Sequence, residues 1–241
     1  MKIEVWSDFV CPFCYIGKRR LEHALEQFAH RDEVEVGYKS YELDPEAEVN
    51  PGQNIHEYLS SKKGMPFEQA KSMNESLGEQ AAEVGLTYNF DTMQHTNTFD
   101  AHRVAKYADE KGKGKEMTER LLEAYFTDSE LISDHATLIR LASEVGLEED
   151  DVTAMLKVDD YALHVRADEE QARQLDVQGV PFFVFNDKYA VSGAQPQEVF
   201  SEVLEKVWEE EKETPTLESL NPKKSKTTYC TDEGCEVIEE D

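Results

Sequence analysis

A chain of 241 residues with 39% apolar and 10% aromatic residues can bury a core of its own, which excludes a disulfide-stapled miniprotein and global disorder. Its 25 Lys+Arg against 52 Asp+Glu give a formal charge of -27, which repels phosphate backbones and anionic lipid, so neither nucleic acid nor a membrane is an expected partner. No stretch approaches the ~20 consecutive apolar residues of a membrane helix, and the opening Met1-Lys2-Ile3-Glu4-Val5 alternates like a strand and not like a signal peptide, so the expected location is cytoplasmic.

Residues 2–6 form a short strand pattern, and residues 11–28 place Ile16, Leu21, Leu25 and Phe28 at helical spacing. Residues 34–41 alternate again, with Val34, Val36 and Tyr38 on one face, and end at the turn signals Asp44-Pro45 and Asn50-Pro51-Gly52. A β-α-β unit thus opens the chain. From residue 54 to 175 helix follows helix, with Gly64, Gly85, Gly112 and Gly146 placed as C-terminal caps. Ala82-Glu83-Val84-Gly85-Leu86 resembles Ser143-Glu144-Val145-Gly146-Leu147, and both read as glycine-ended helices, not as a structural repeat. Residues 181–185 and 189–192 read as a hairpin turning at Asn186-Asp187-Lys188. A last amphipathic helix, carrying Val199, Phe200, Val203, Leu204 and Val207 on one side, ends near Glu211. The remainder has few large apolar residues and is expected to be a mobile tail.

The four cysteines fall into two close pairs, Cys11-x-x-Cys14 and Cys230-x4-Cys235. A C-x-x-C at a strand-to-helix junction inside a β-α-β pattern is the context of a thioredoxin-like redox site. Residues three apart on a helix share a face, so Cys11 and Cys14 can close a disulfide. Cys11, at the first turn, is expected among unpaired backbone N–H groups that favour a thiolate, which makes it the nucleophile. That role also requires Cys11 to be open to solvent. Lys18, Arg19 and Arg20, one to three turns on, oppose the acidic surface.

The run Trp6-Ser7-Asp8-Phe9-Val10-Cys11-Pro12-Phe13-Cys14-Tyr15-Ile16-Gly17 resembles the active-site segment of the DsbA-family thioredoxin-like oxidoreductases, specifically the FrnE-like branch. The segments Tyr41-Glu42-Leu43-Asp44-Pro45, Asn97-Thr98-Phe99-Asp100-Ala101-His102-Arg103 and Gly179-Val180-Pro181-Phe182-Phe183-Val184-Phe185 agree with it. The resemblance covers about residues 1–210. It implies an α/β thioredoxin fold interrupted by an all-helical domain: residues 1–52 and 166–212 thioredoxin-like, 53–165 the helical insertion, and 213–241 a flexible C-terminal tail. It further implies that the Val180–Pro181 bond is cis and faces the dithiol, with Val180 pairing with a substrate peptide. Pro12, Phe13, Asn97 and His102 join the substrate-binding set, although His102 beside Phe99 and Ala105 also reads as a satisfied helix histidine. Strongly oxidising members carry a histidine between the cysteines; Phe13 offers no donor or charge, so a potential nearer the reducing end is expected.

The expected activity is cytosolic thiol–disulfide oxidoreduction or isomerisation of protein or peptide disulfides, with a low-molecular-weight thiol or thioredoxin-type redox partner and no cofactor or metal. FrnE-like proteins resemble this chain in carrying a C-x4-C pair near the C-terminus. A flexible linker of about 19 residues reaches roughly 25 Å, so Cys230/Cys235 is a candidate second redox pair exchanging with Cys11/Cys14. An independent disulfide and a zinc site are its alternatives; the tail holds no histidine. Two other readings of the chain stay open: a glutathione-dependent isomerase or transferase of the kappa or hydroxychromene-carboxylate type, whose members usually have serine at the position of Cys11, and a redox-switched holdase or zinc-binding module. Gly112-Lys113-Gly114-Lys115 lacks both the preceding strand and the spacing of a phosphate loop.

Overall fold

The alternation that opens the chain places β1 (Lys2–Ser7) in the middle of a four-stranded sheet in the computed structural model, which describes residues 1–50, 52–213, 226–231 and 234–239. β1 runs parallel to β2 (Glu35–Ser40), with Lys2 opposite Glu35, and antiparallel to β3 (Phe182–Phe185), with Trp6 opposite Phe182. β4 (Tyr189–Ser192) completes the order β2-β1-β3-β4. Asn186 and Asp187, at φ 48° and 53°, make the turn between β3 and β4, a conformation their short polar side chains tolerate.

The two-residue period sends Ile3, Val5, Phe183 and Phe185 to one face of the sheet. There they meet Leu21 of α1 (Pro12–Gln27) and Phe200 and Leu204 of α9 (Gln197–Glu213) in one core. On the other face Trp6 and Val184 pack with Ala172 of α8 (Ala162–Gln174) and with Val177. Helices on both faces of this mixed sheet give the thioredoxin fold that the resemblance implies.

Between β2 and α8 lie α2 (Ile55–Lys63), α3 (Phe67–Glu83), α4 (Phe99–Glu110), α5 (Gly114–Phe126), α6 (His135–Glu144) and α7 (Glu149–Leu156). They share a core that includes Val104, Met117, Leu121, Leu138 and Leu141. The two similar segments are indeed helix ends. Leu86 N–H reaches Ala81 O at 2.9 Å and Leu147 N–H reaches Ala142 O at 3.0 Å, over Gly85 and Gly146 at φ 80° and 89°. Tyr15 and Ile16 of α1 belong to this helical core, while Leu21 and Ala24 face the sheet, so α1 is buried on two sides.

The chain forms two compact units, Met1–Trp208 and Glu209–Asp241. In the second, β5 (Lys226–Thr231) and β6 (Gly234–Glu239) pair antiparallel with Cys230 directly opposite Cys235. The sequence reading expected no strand there, because the charge and proline content of the whole segment masked the β-formers Thr227, Thr228, Tyr229, Val237 and Ile238. The expectation of a mobile chain over residues 214–225 lies outside the described residues. No helix among the described residues is long and apolar enough to cross a membrane.

Candidate active site

After β1 the backbone turns at Asp8-Phe9-Val10, where the Cys11 N–H donates to Asp8 O at 3.2 Å, and α1 begins. Cys11 is the residue before the first turn, extended at φ -90° and ψ 112°, and Pro12 takes the first helical position, where a missing N–H costs nothing. Cys14 closes that turn by donating its N–H to Cys11 O at 3.0 Å. Both cysteines are free thiols.

Cys11 Sγ lies 3.6 Å from the carbonyl oxygen of Val180, and its thiol donates there. The Val180–Pro181 bond is cis, as the resemblance implies. No N–H of α1 caps the Cys11 side chain, which corrects the expectation that first-turn N–H groups bind this sulfur directly. Cys11 stands at the N-cap and turns its side chain to the loop before Pro181. A second correction concerns access. Cys11 keeps only 4% of its surface exposed and is buried, whereas the adjoining Phe13 is 41% exposed, so the sulfur is covered in this structure and the expected solvent access is not met.

Cys14, 2% exposed, lies behind it. Burial pushes the Cys14 thiol well above its ordinary range, and its hydrogen bond to Cys11 adds to that; the Ser7 hydroxyl and the Asp8 backbone N–H, both against its sulfur, pull the other way. The pair is therefore asymmetric, with an outer thiol at the substrate face and an inner one held protonated.

Several contacts fix this arrangement. Gly17 lets α1 come against the loop: a Cβ there would lie 3.0 Å from Pro181 Cγ and 3.2 Å from Phe183 Cζ. Gly193 N–H holds Pro181 O at 2.8 Å, and Arg20 Nη1 holds Ala194 O at 2.6 Å. From the helical side the Tyr88 hydroxyl donates to Pro12 O at 2.8 Å. Glu119 of α5 accepts from Tyr15 at 2.7 Å, from Arg19 at 2.6 Å and from Lys18. Lys18 and Arg19 are also bound to Glu22, so the cations expected to balance the acidic surface near Cys11 are spent on joining α1 to α5.

Pro12, Phe13, Val180 and Pro181 thus gather around the dithiol, with Val180 half-buried and Pro181 buried. The side chains of Asn97 and His102, expected in the substrate-binding set, are engaged in other contacts. Asn97 donates to Pro45 O at 3.1 Å and accepts from Phe99 N–H at 2.9 Å, which ties the chain after β2 to the start of α4. His102 is 2% exposed, packs on Phe9 with ring centres 4.7 Å apart and planes tilted by 39°, and meets Asp8 Oδ1 at 3.3 Å. Sequence reasoning missed Asp8, whose Oδ2 also accepts from Leu43 N–H at 2.8 Å; an acid between Trp6 and Phe9 in an apolar run was the available signal. Of Cys230 and Cys235 only the backbone pairing is described. Among the described residues no group of three or more His, Cys, Asp or Glu side chains is arranged to hold a metal ion.

A dithiol at the start of a helix, facing a cis-proline loop on a thioredoxin sheet, defines a thioredoxin-like thiol oxidoreductase. The chain belongs to the DSBA-like thioredoxin domain family, which matches residues 2–205. It is 40% identical to the probable DsbA oxidoreductase SCO1869 from Streptomyces coelicolor, with a TM-score of 0.85 over 99% of each chain. It is 28% identical over 204 residues to the uncharacterized protein YwbO of Bacillus subtilis (strain 168), covering 84% of this chain and 94% of that one. A 2-hydroxychromene-2-carboxylate isomerase, 15% identical with a TM-score of 0.68 over 90% of this chain and all of its own, shares the fold.

Proposed function

We propose that the protein is a cytosolic thiol–disulfide oxidoreductase and isomerase of the FrnE-like branch, acting on protein disulfides. The observation that carries this reading is the position of Cys11 Sγ, 3.6 Å from the Val180 carbonyl beside exposed Phe13. Among the described residues the Val180 N–H has no acceptor, so an extended substrate peptide can pair with it and bring its disulfide to Cys11.

The Cys11 thiolate attacks the substrate disulfide, breaking its S–S bond. A Cys11–substrate mixed disulfide forms, and the first substrate thiolate leaves and takes up a proton. Cys14, once deprotonated, attacks Cys11 Sγ. The Cys11–Cys14 disulfide forms and the second substrate thiol leaves, so two electrons pass to the substrate. Because burial keeps Cys14 protonated, the mixed disulfide persists, which favours isomerisation: a substrate thiol can attack in its place and return Cys11 reduced. A low-molecular-weight thiol or a thioredoxin-type partner then reduces the Cys11–Cys14 disulfide back to the dithiol by exchange, itself becoming oxidised.

Cys230 and Cys235 are a second redox pair in this reading. Directly opposed residues of an antiparallel pair lie about 4.5–5.5 Å apart at Cα, within the range a disulfide spans. Insulin reduction and refolding of scrambled ribonuclease test the proposal on wild type, Cys11→Ser and the Cys230→Ser/Cys235→Ser pair. Loss of both activities in Cys11→Ser is expected. An inactive wild type overturns the assignment, and full turnover of the tail variant with every physiological reductant removes the second pair from the reaction.

A further inference from the structure

β1 leads into a four-residue turn, Asp8-Phe9-Val10-Cys11, closed by the Cys11 N–H on Asp8 O at 3.2 Å. The turn meets both thiols: Cys11 is its fourth residue, and the N–H of Asp8, its first, lies against the Cys14 sulfur. Asp8 is fully buried, and a carboxyl taken out of water is costly unless its oxygens are hydrogen-bonded. Its partners come from distant segments. Leu43 N–H, after β2, donates to Oδ2 at 2.8 Å, and His102 Nε2, on α4 of the helical insertion, stands 3.3 Å from Oδ1. Among the described residues no other donor reaches Oδ1. The His102 ring also packs on Phe9, the second turn residue. A buried side chain 94 residues away from Asp8 in the chain thus holds the turn at two of its four residues.

The Asp8 N–H connects this hold to the chemistry. Placed against the Cys14 sulfur it favours the thiolate, opposing the burial and the Cys11 contact that push the thiol up. The titratable groups around the pair are Glu42, which feels His102, and His95 and Tyr125, which feel Asp8. The main neighbours acting on Cys14 are Cys11, Ser7 and the Asp8 backbone.

We propose that His102 is a positioning residue of the resolving step: it fixes the Asp8 turn so that the Asp8 N–H stays on the Cys14 sulfur, and thereby sets how fast Cys14 displaces bound substrate from Cys11. The inference rests on the oxidoreductase reading and adds to it a residue that governs the balance between reduction and isomerisation. Without His102 the Cys14 thiol ionises less readily, the Cys11–substrate disulfide lasts longer, and rearrangement gains over reduction. The step itself is unchanged. Cys14 Sγ bonds to Cys11 Sγ, the bond from Cys11 to the substrate sulfur breaks, and the departing thiolate takes up a proton in exchange for the one Cys14 released.

The test uses the full-length chain carrying Cys230→Ser and Cys235→Ser, so that only Cys11 and Cys14 report, with dithiobis(2-nitrobenzoate) as the substrate in stopped flow. Attack by Cys11 releases one thionitrobenzoate, and displacement by Cys14 releases the second. His102→Leu keeps bulk against Phe9 and loses the donor. Its second release should slow about threefold to tenfold at pH 7, the rising limb of the pH profile moving up by about half a unit to one unit, while the first release changes little. His102→Gln, whose amide can donate from the place of Nε2, should restore the second release and its limb. Circular dichroism and thermal midpoints confirm that each variant folds, and His102→Asn, polar but too short to reach Oδ1, gives the same comparison should His102→Leu not fold. An unchanged second release in folded His102→Leu or His102→Asn overturns the proposal. So does a slowing of both releases alike, or a His102→Gln chain as slow as His102→Leu, either of which marks a brace of the fold only. A parent chain that releases no thionitrobenzoate removes the oxidoreductase reading and this inference with it; a parent that completes both releases keeps that reading whatever the His102 variants do.

Discussion

Cys11 and Cys14 are chemically alike in sequence and distinguished by their surroundings: one lies against the Val180 carbonyl, the other against Ser7 and Asp8. Because burial raises the Cys14 thiol, alkylation of Cys14 by iodoacetamide in a Cys11→Ser variant should run slower than that of free cysteine at pH 7 by about tenfold or more. The rate should still be climbing at about pH 9. Mass-resolved alkylation kinetics check both. Gly17 is the other critical residue. A methyl group there meets Pro181 Cγ at 3.0 Å, so Gly17→Ala should cost about 1–3 kcal/mol in urea denaturation and slow insulin reduction by moving the loop. His95 supplies a pH signature. Its folded pKa is depressed by burial, so below the ordinary imidazole value of about 6.5 the unfolded chain takes up the proton first. The stability it contributes is complete above that pH and is lost as pH falls through the folded pKa. Stability should therefore drop more steeply from pH 7 to pH 5 in wild type than in His95→Phe.

Among the elements, α1 carries the site because both of its sides are occupied. Its inner side meets the sheet through Leu21 and Ala24, its outer side the helical core through Tyr15 and Ile16, and Glu119 of α5 binds Lys18 and Arg19. The opposite face of the sheet is held by charge. Asp168 of α8 accepts from Ser40 N–H at 2.9 Å and pairs with Lys39 at 3.2 Å and with Lys106 of α4, while its backbone oxygen takes Trp6 Nε1 at 2.9 Å. Removing Asp168 leaves Lys106 without its carboxylate and the Ser40 N–H without its acceptor, while Lys39 keeps Glu4, so Asp168→Ala should destabilise by about 3 kcal/mol in urea denaturation. The elements themselves were largely readable. β4 and the turn at Asn186-Asp187 fall where alternation and turn chemistry place them, and Gly64, Gly85, Gly112 and Gly146 all take the positive φ of a helix end. Cys11 takes the N-cap position, from which a side chain can accept first-turn N–H groups, but its thiol donates to the Val180 carbonyl instead, a contact with a segment far along the chain.

For the whole molecule, a formal charge of -27 is a standing repulsion that the compact state must overcome. Screening shortens its reach to about 3 Å at 1 M salt. The thermal midpoint should therefore rise by a few degrees between about 10 mM and about 1 M NaCl, and scanning calorimetry reads this directly. In that field many of the described lysines and arginines are spent in ion pairs, as Lys62 is with Asp44 and Arg120 with Asp128 and Glu144.

The sequence alone determined which residues form strands and helices, where the helices stop, and which two sulfurs stand at the mouth of α1, because periodicity, capping and turn chemistry act over a few neighbouring residues. It could not determine that Asn97 would be tied to Pro45 and His102 to Asp8, that Lys18 would be buried against Glu119, or that the Tyr125 hydroxyl would be buried without a partner. Those outcomes depend on segments 52 to 101 residues apart meeting in the folded chain. The burial of each side chain, and with it the asymmetry of the two thiols, is set there and not in the local chain.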